Sequence, residues 1–187
     1  MKLIIFEGQD RCGKDSHIQF LSKKLNSYTI RHWSYPQGNT PEEQTHWQKR
    51  SFNEEFHLHS ILQHHFSTND HILIWNRSHI GEFVYGTLYR NSEPHSWVPQ
   101  LETLYGFSQN PEIYLIHFTA DPEFLSQKDD GNSYDQSTEK KSKEAELFAE
   151  AIQQSTIKNK LIIKINNGNS YKDFDSIYSE IHSFIRI

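Results

Sequence analysis

The run Gly8-Gln9-Asp10-Arg11-Cys12-Gly13-Lys14-Asp15-Ser16 brackets four residues between two glycines and follows them with a lysine, a carboxylate and a hydroxyl. This G-x-x-x-x-G-K spacing suits the gathering of phosphate oxygens. Gly8 and Gly13 let the backbone curl so that successive N–H groups, including that of Cys12, converge on an anion. A helix beginning near Lys14 adds the positive end of its dipole. Lys14 would reach the outermost phosphates as a point charge. Asp15 stands where a hydroxyl is usual. A carboxylate is an equally hard oxygen ligand for Mg²⁺, and Ser16 is next in line to supply a hydroxyl. A carboxylate beside a triphosphate is useful only with the metal between them. A glycine-bearing turn can also be a bare strand–helix connection, so the flanking elements matter.

A second constellation is Asn76-Arg77-Ser78, directly after the apolar run His71–Trp75. Arginine just past a strand end lies where α/β sheets bind ligands, although it would also suit a helix start. Glu82 could support Arg77 or serve as a general base, and fits an exposed helix position equally well. Tyr85 and Phe52 fall at helical spacing, where an aromatic ring serves a core as readily as a site wall.

The elements that must position these groups are five short apolar runs: Lys2–Phe6, Tyr28–Trp33, His71–Trp75, Ile113–Phe118 and Leu161–Ile165. Four of them are Ile/Leu-rich with little alternation, as expected of strands covered on both faces. Helical periods lie between them. Ile18, Leu21 and Leu25 mark one helix. Pro41–Phe66 is a long second, with Phe52, Phe56, Ile61 and Leu62 on one side. Phe148, Ala151 and Ile152 mark another, and Ile177, Ile181, Phe184 and Ile185 close the chain. Strands alternating with helices imply right-handed crossovers and an α/β three-layer domain around a mostly parallel sheet. Residues 128–143 carry almost no apolar side chain and read as a surface loop or lid within one domain spanning 1–187.

Composition narrows the function classes. Nineteen Lys and Arg against 24 Asp and Glu give a net charge of −5, without the basic face of a duplex-DNA binder. The single cysteine, Cys12, excludes an intramolecular disulfide and a cysteine-built zinc site. No stretch approaches the ~18 apolar residues of a membrane span, and Leu3–Phe6 reads as a strand rather than a signal peptide. An intracellular, cytoplasmic chain is the expectation. His57, His59, His64 and His65 share one predicted helix without the i, i+4 spacing that zinc helices use, so they read as structural.

The segment FEGQDRCGKDSHIQFLSKKL resembles the first strand, loop and helix of the thymidylate kinase group of P-loop nucleoside monophosphate kinases, including the Asp10-Arg11 pair. ILIWNRSHIGEFVYGTLY, from Ile72 to Tyr89, resembles that group's D-R-Y/S motif and following helix, and ADPEFLSQKDDG with ELFAEAI is a weaker third block. The resemblance implies a P-loop NTPase fold with a five-stranded sheet and a short lid. It implies ATP as donor, Mg²⁺ as cofactor, and a deoxynucleoside monophosphate as the small acceptor. It further implies that Lys14 and Arg11 stabilise the transferring phosphoryl group, Arg77 holds the acceptor phosphate, and Asp10 meets the acceptor 3′-hydroxyl. Tyr85 would pack on the deoxyribose, Phe52 would stack on the base, and the loop at Asn166, Asn167 and Gly168 would lie near adenine. A homodimer through helices flanking the D-R motif is the family's habit, and a viral or phage deoxynucleotide kinase is the subgroup whose loops end G-K-D-T.

Two departures stand out. The motif's aspartate is Asn76 here, while a carboxylate stands at Asp15, so an exchange of charge between the two positions is the expectation. The family's base-reading arginine is replaced by Phe56, with Arg50 the nearest substitute. Asn76-Arg77-Ser78 also resembles the E/D-R-S motif of deoxynucleoside kinases. A kinase acting on a hydroxyl, of a nucleoside or of a hydroxymethylated pyrimidine in phage DNA, is therefore the alternative. A catalytically weak nucleotide-binding homologue is a further one, which Asn76 supports.

Overall fold

The computed structural model describes residues 1–33, 35–65, 70–128 and 135–187. Five parallel strands, β1 (Lys2–Gly8), β2 (Tyr28–His32), β3 (Ile72–Asn76), β4 (Ile113–Thr119) and β5 (Asn159–Lys164), form one sheet in the order β2-β3-β1-β4-β5. Helix α1 (Lys14–Ser22) links β1 to β2, and α2 (Pro41–His65) follows β2. Helices α3 (His79–Arg90) and α4 (Val98–Leu104) lead from β3 to β4, and α5 (Pro122–Lys128) and α6 (Thr138–Gln154) lead on to β5. A two-stranded hairpin, β6 (Asn166–Asn167) and β7 (Ser170–Tyr171), and α7 (Phe174–Ile185) complete the chain.

The β1 sequence explains why it is central. Leu3 and Ile5 join the core shared with α2, α3 and α6, while Ile4 and Phe6 join the core shared with α1, α5 and α7. Successive side chains point to opposite faces, so a strand apolar at every position needs helices on both sides. Helix α2 is more polar. It buries Phe52 and Phe56 as the spacing predicts, but Ile61 is exposed. The hairpin and helices α4 and α5 have no counterpart among the sequence-predicted elements.

The strand order generates the binding crevice. From β1 the chain crosses to the β2 edge; from β3 it crosses to β4 on the opposite side. Open α/β sheets leave a ligand crevice at the carboxyl ends of strands where such connections diverge. The two constellations, after Gly8 and after Asn76, follow β1 and β3, which are neighbours with Phe6 paired to Asn76. Of the expected lid, Lys128 ends α5 and 138–143 begin α6; 129–134 lie outside the described residues. Among the described residues no helix is long and apolar enough to cross a membrane.

Candidate active site

The two loop glycines are required by geometry. At Gly8, φ is 138° and a Cβ would lie 2.2 Å from the Phe118 carbonyl oxygen on β4. Gly13 holds φ 76° immediately before α1, a left-handed conformation that glycine adopts without a Cβ penalty. The His17 N–H donates to the Gly13 carbonyl at 3.2 Å. The amides of residues 14–16 thus occupy the first turn, where a helix has no carbonyl of its own to offer them.

Lys14 is buried, and its Nζ donates to the carbonyls of Gly8 and Gln9, each at 2.7 Å. Burial, and then the Arg77 charge, lower its pKa to about 8. Burial pushes the neighbouring Cys12 thiol up to about 11, so it is a neutral packing group at pH 7. The loop residues from Asp10 to Ser16 line a cavity of about 660 Å³. His32, Trp33, Asn76 and Arg77 form one wing of it; Ile165, Tyr171, Lys172 and Phe174 line the other.

Arg77 holds φ 67°, and its N–H donates to the Phe6 carbonyl at 2.9 Å. Its guanidinium is ion-paired with Asp10 and donates to the Tyr85 hydroxyl at 3.3 Å. Burial works against the charge, but Tyr85 and Asp10 outweigh it and hold the pKa above the ordinary arginine value. Tyr85 is not among the residues lining this cavity; its ring centre lies 5.3 Å from the guanidinium carbon, where it supports Arg77.

On the same wing the Asn76 side-chain amide donates to Asp15 Oδ1 at 2.5 Å and contacts His32 Nδ1 at 3.0 Å. Among the described residues no cluster of three His, Cys, Asp or Glu side chains could hold a metal. Mg²⁺ keeps several waters and takes phosphate oxygens, so one or two protein oxygens suffice. Asp15 and Ser16, both on the cavity wall at the α1 start, fit that requirement.

Beneath the loop lies Glu7, a fully buried carboxylate outside the G-x-x-x-x-G-K spacing. Its Oε1 accepts from Ser78 Oγ at 2.6 Å and from the Gly81 N–H at 3.1 Å. Burial raises its pKa, against the pull of Ser78, Arg77 and Lys14. Ser78 also caps α3 through the Ile80 N–H. Glu7 therefore ties the end of β1 to the helix start that carries Arg77. At the loop's other flank, Gln9 Nε2 donates to the Lys141 carbonyl at 2.8 Å and to Glu144 Oε2 at 3.1 Å, anchoring α6.

Three expected acceptor contacts go elsewhere. Phe52 is 1 % exposed and packs 4.3 Å from the Trp33 ring, so Trp33 is the aromatic wall and Phe52 its backing. Helix α2 turns Phe52 inward, and the ring on the preceding loop reaches the cavity instead. Glu82 is neither exposed nor at the cavity; it is buried in an ion pair with Arg90. Burial raises its pKa, which Arg90 opposes. Arg50 is exposed and paired with Glu54 at 2.7 Å. Near the expected adenine loop, Asn166 is a buried anchor bonded to Asp121, while Tyr171, Lys172 and Phe174 beyond it face the cavity. His32 and Trp33 end the apolar run Tyr28–Trp33 with no motif to mark them as site residues, and the other three lie in a polar stretch without periodicity.

No protein-family model matches the chain, and no curated protein does. Solved structures do. The YorR protein from Bacillus subtilis, solved in complex with phosphorylated GDP, superposes with a TM-score of 0.64 at 18% identity, covering 98% of this chain and 95% of that one. The thymidylate kinase from Candida albicans superposes with a TM-score of 0.64 at 17% identity, covering 99% of this chain and 91% of that one. With the glycine-bracketed loop after β1 and Arg77 after β3, the chain has a thymidylate kinase-like P-loop fold.

Proposed function

We propose that this chain is a Mg²⁺-dependent kinase, acting as one domain, that transfers the γ-phosphoryl group of ATP to a deoxynucleoside monophosphate. The observation that carries this reading is the arginine at the end of β3. Arg77 is oriented by Asp10 and Tyr85 and faces the same cavity as Lys14. Two cations on one cavity, Lys14 at the start of α1 and Arg77 directly after β3, suit a donor phosphate and an acceptor phosphate brought together.

Phosphoryl transfer asks little covalent work of a protein, and positioned cations carry most of the catalysis. Lys14 and the loop amides would hold the donor phosphates, and Arg11 would neutralise charge on the group in flight. Asp15 and Ser16 would hold Mg²⁺, which supplies charge neutralisation between the phosphates when bound. Arg77 would hold the acceptor phosphate. Asp10 would accept a hydrogen bond from the acceptor's 3′-hydroxyl, and Trp33 would meet its base. The opposite wing, with Ile165 and Phe174, offers apolar surface for adenine. Dimer formation and duplex-DNA contact carry no role in this mechanism.

The pairing of Arg77 with Asp10 favours a second reading, because it partly neutralises the cation and sets a carboxylate beside it. That arrangement also suits an acceptor hydroxyl. The two are separated by following ADP release with ATP and Mg²⁺ against dTMP, dUMP, dCMP, 5-hydroxymethyl-dUMP, thymidine and hydroxymethylated DNA. Turnover of a monophosphate is the expected result. Turnover confined to thymidine or DNA would move the acceptor to a hydroxyl. ATP binding with no turnover of any of the six would leave a nucleotide-binding protein.

A further inference from the structure

Tyr171 ends β7, and its hydroxyl donates to the Arg11 carbonyl at 3.2 Å across 160 positions of sequence. Arg11 holds φ 68°. A side-chain-bearing residue keeps that left-handed conformation only where its surroundings hold it there, and such residues concentrate at working sites. The hydroxyl is presented by a fixed frame. The Tyr171 ring meets Phe124 edge-on at 4.8 Å. Asn166 braces the hairpin, with its amide on Asp121 at 2.9 Å and on the Gly168 carbonyl at 2.8 Å. The Lys172 N–H closes the return strand on the Ile165 carbonyl at 2.7 Å.

We infer that Tyr171 is a positioning residue for the phosphate loop: its hydroxyl sets the Arg11–Cys12 peptide and through it the place of the Arg11 side chain. A trans peptide is planar, so its carbonyl and N–H point in opposite directions. Turning the Arg11 carbonyl toward the hairpin therefore turns the Cys12 N–H away from it, and fixes the root from which the Arg11 guanidinium extends. The loop's catalytic geometry is thereby set by a segment remote in sequence. This inference rests on the phosphotransfer reading in assigning Arg11 a part in the reaction.

The test is Tyr171→Phe, which keeps the ring on Phe124 and removes only the hydroxyl. One neutral hydrogen bond corresponds to about a fivefold effect on rate. The expected result is a kcat lower by about fivefold, with KM for ATP within about twofold and an unchanged melting temperature. The Cys12 amide ¹⁵N resonance, which belongs to the same peptide as the Arg11 carbonyl, is expected to move. A wild-type kcat, a loss confined to KM, or an unmoved Cys12 resonance would each overturn the inference. Should the unmodified protein turn over no acceptor, the phosphotransfer reading fails by itself. The Cys12 resonance then decides alone: displacement by Tyr171→Phe supports the positioning role, and an unmoved signal ends it.

Discussion

The Asn76 amide donates to the Asp15 carboxylate at 2.5 Å, joining the residue at the end of β3 to the first turn of α1. One amide and one carboxylate make a single shared charge where two carboxylates would repel. Two carboxylates in such contact cannot both ionise freely, and one would have its pKa driven up. The carboxylate absent at 76 and the one present at 15 thus occupy a single electrostatic site.

The exchange can be read in steady-state kcat for four proteins. Asn76→Asp alone and Asp15→Ser alone are each expected to lower kcat, and the double variant to recover most of it. The coupling should exceed about 1 kcal/mol, as for residues in direct contact. A faster Asn76→Asp protein beside an unaffected Asp15→Ser protein would contradict it.

Lys14 predicts a pH dependence of two signs. Its pKa is lowered from 10.5 to about 8, chiefly by burial. In the free protein kcat/KM for ATP should therefore fall as pH rises through about 8, where the ammonium loses its proton. Stability of the ligand-free protein should move the other way. Between about 8 and 10.5 the unfolded chain binds the extra proton, so unfolding becomes harder as pH rises. Urea midpoints across that range, with Lys14→Met as the control lacking the trend, check the sign.

The buried Glu82–Arg90 pair predicts a stability phenotype rather than a catalytic one. Glu82→Leu leaves a guanidinium buried without its partner, a loss of about 3–5 kcal/mol. Replacing both residues with methionine should recover most of that. Urea unfolding measures the loss; acceptor KM in the folded fraction should not change.

Trp33 and Phe52 should separate by phenotype although their rings touch at 4.3 Å. Trp33→Ala should weaken acceptor binding by about 1–3 kcal/mol, the range for a base stacked on an aromatic ring. Phe52→Ala should cost about 3–5 kcal/mol of stability, as for a large core truncation. Titration of acceptor and urea unfolding of both variants distinguish a site wall from its backing.

The strands were legible because a central parallel strand must be apolar on both faces. Leu3 through Phe6 are apolar at every position and bounded by polar residues, as a strand covered on both faces requires, and β1 runs on to Gly8. The buried half of α2 was legible at Phe52 and Phe56 for the same reason of period. Ile61 was not: nine positions after Phe52 it stands about 180° round the helix, and it is exposed while His59 on the packed face is buried. The hairpin was illegible because strands of two residues carry no pattern.

By itself, the sequence determined the phosphate loop, since glycine at positions 8 and 13, lysine at 14 and an apolar strand before them are local requirements of backbone geometry and charge. It also determined the alternating elements that place Arg77 at a strand end. Only the tertiary structure decided which side chains meet there. Asp10 with Arg77, Asn76 with Asp15, Glu7 beneath Ser78 and Tyr171 on Arg11 lie between 61 and 160 positions apart. Such contacts depend on strand order and crossover direction, which no short-range periodicity encodes. The same physics turned Phe52 and Glu82 inward: helical spacing tells that two residues share a face, and packing tells what that face touches.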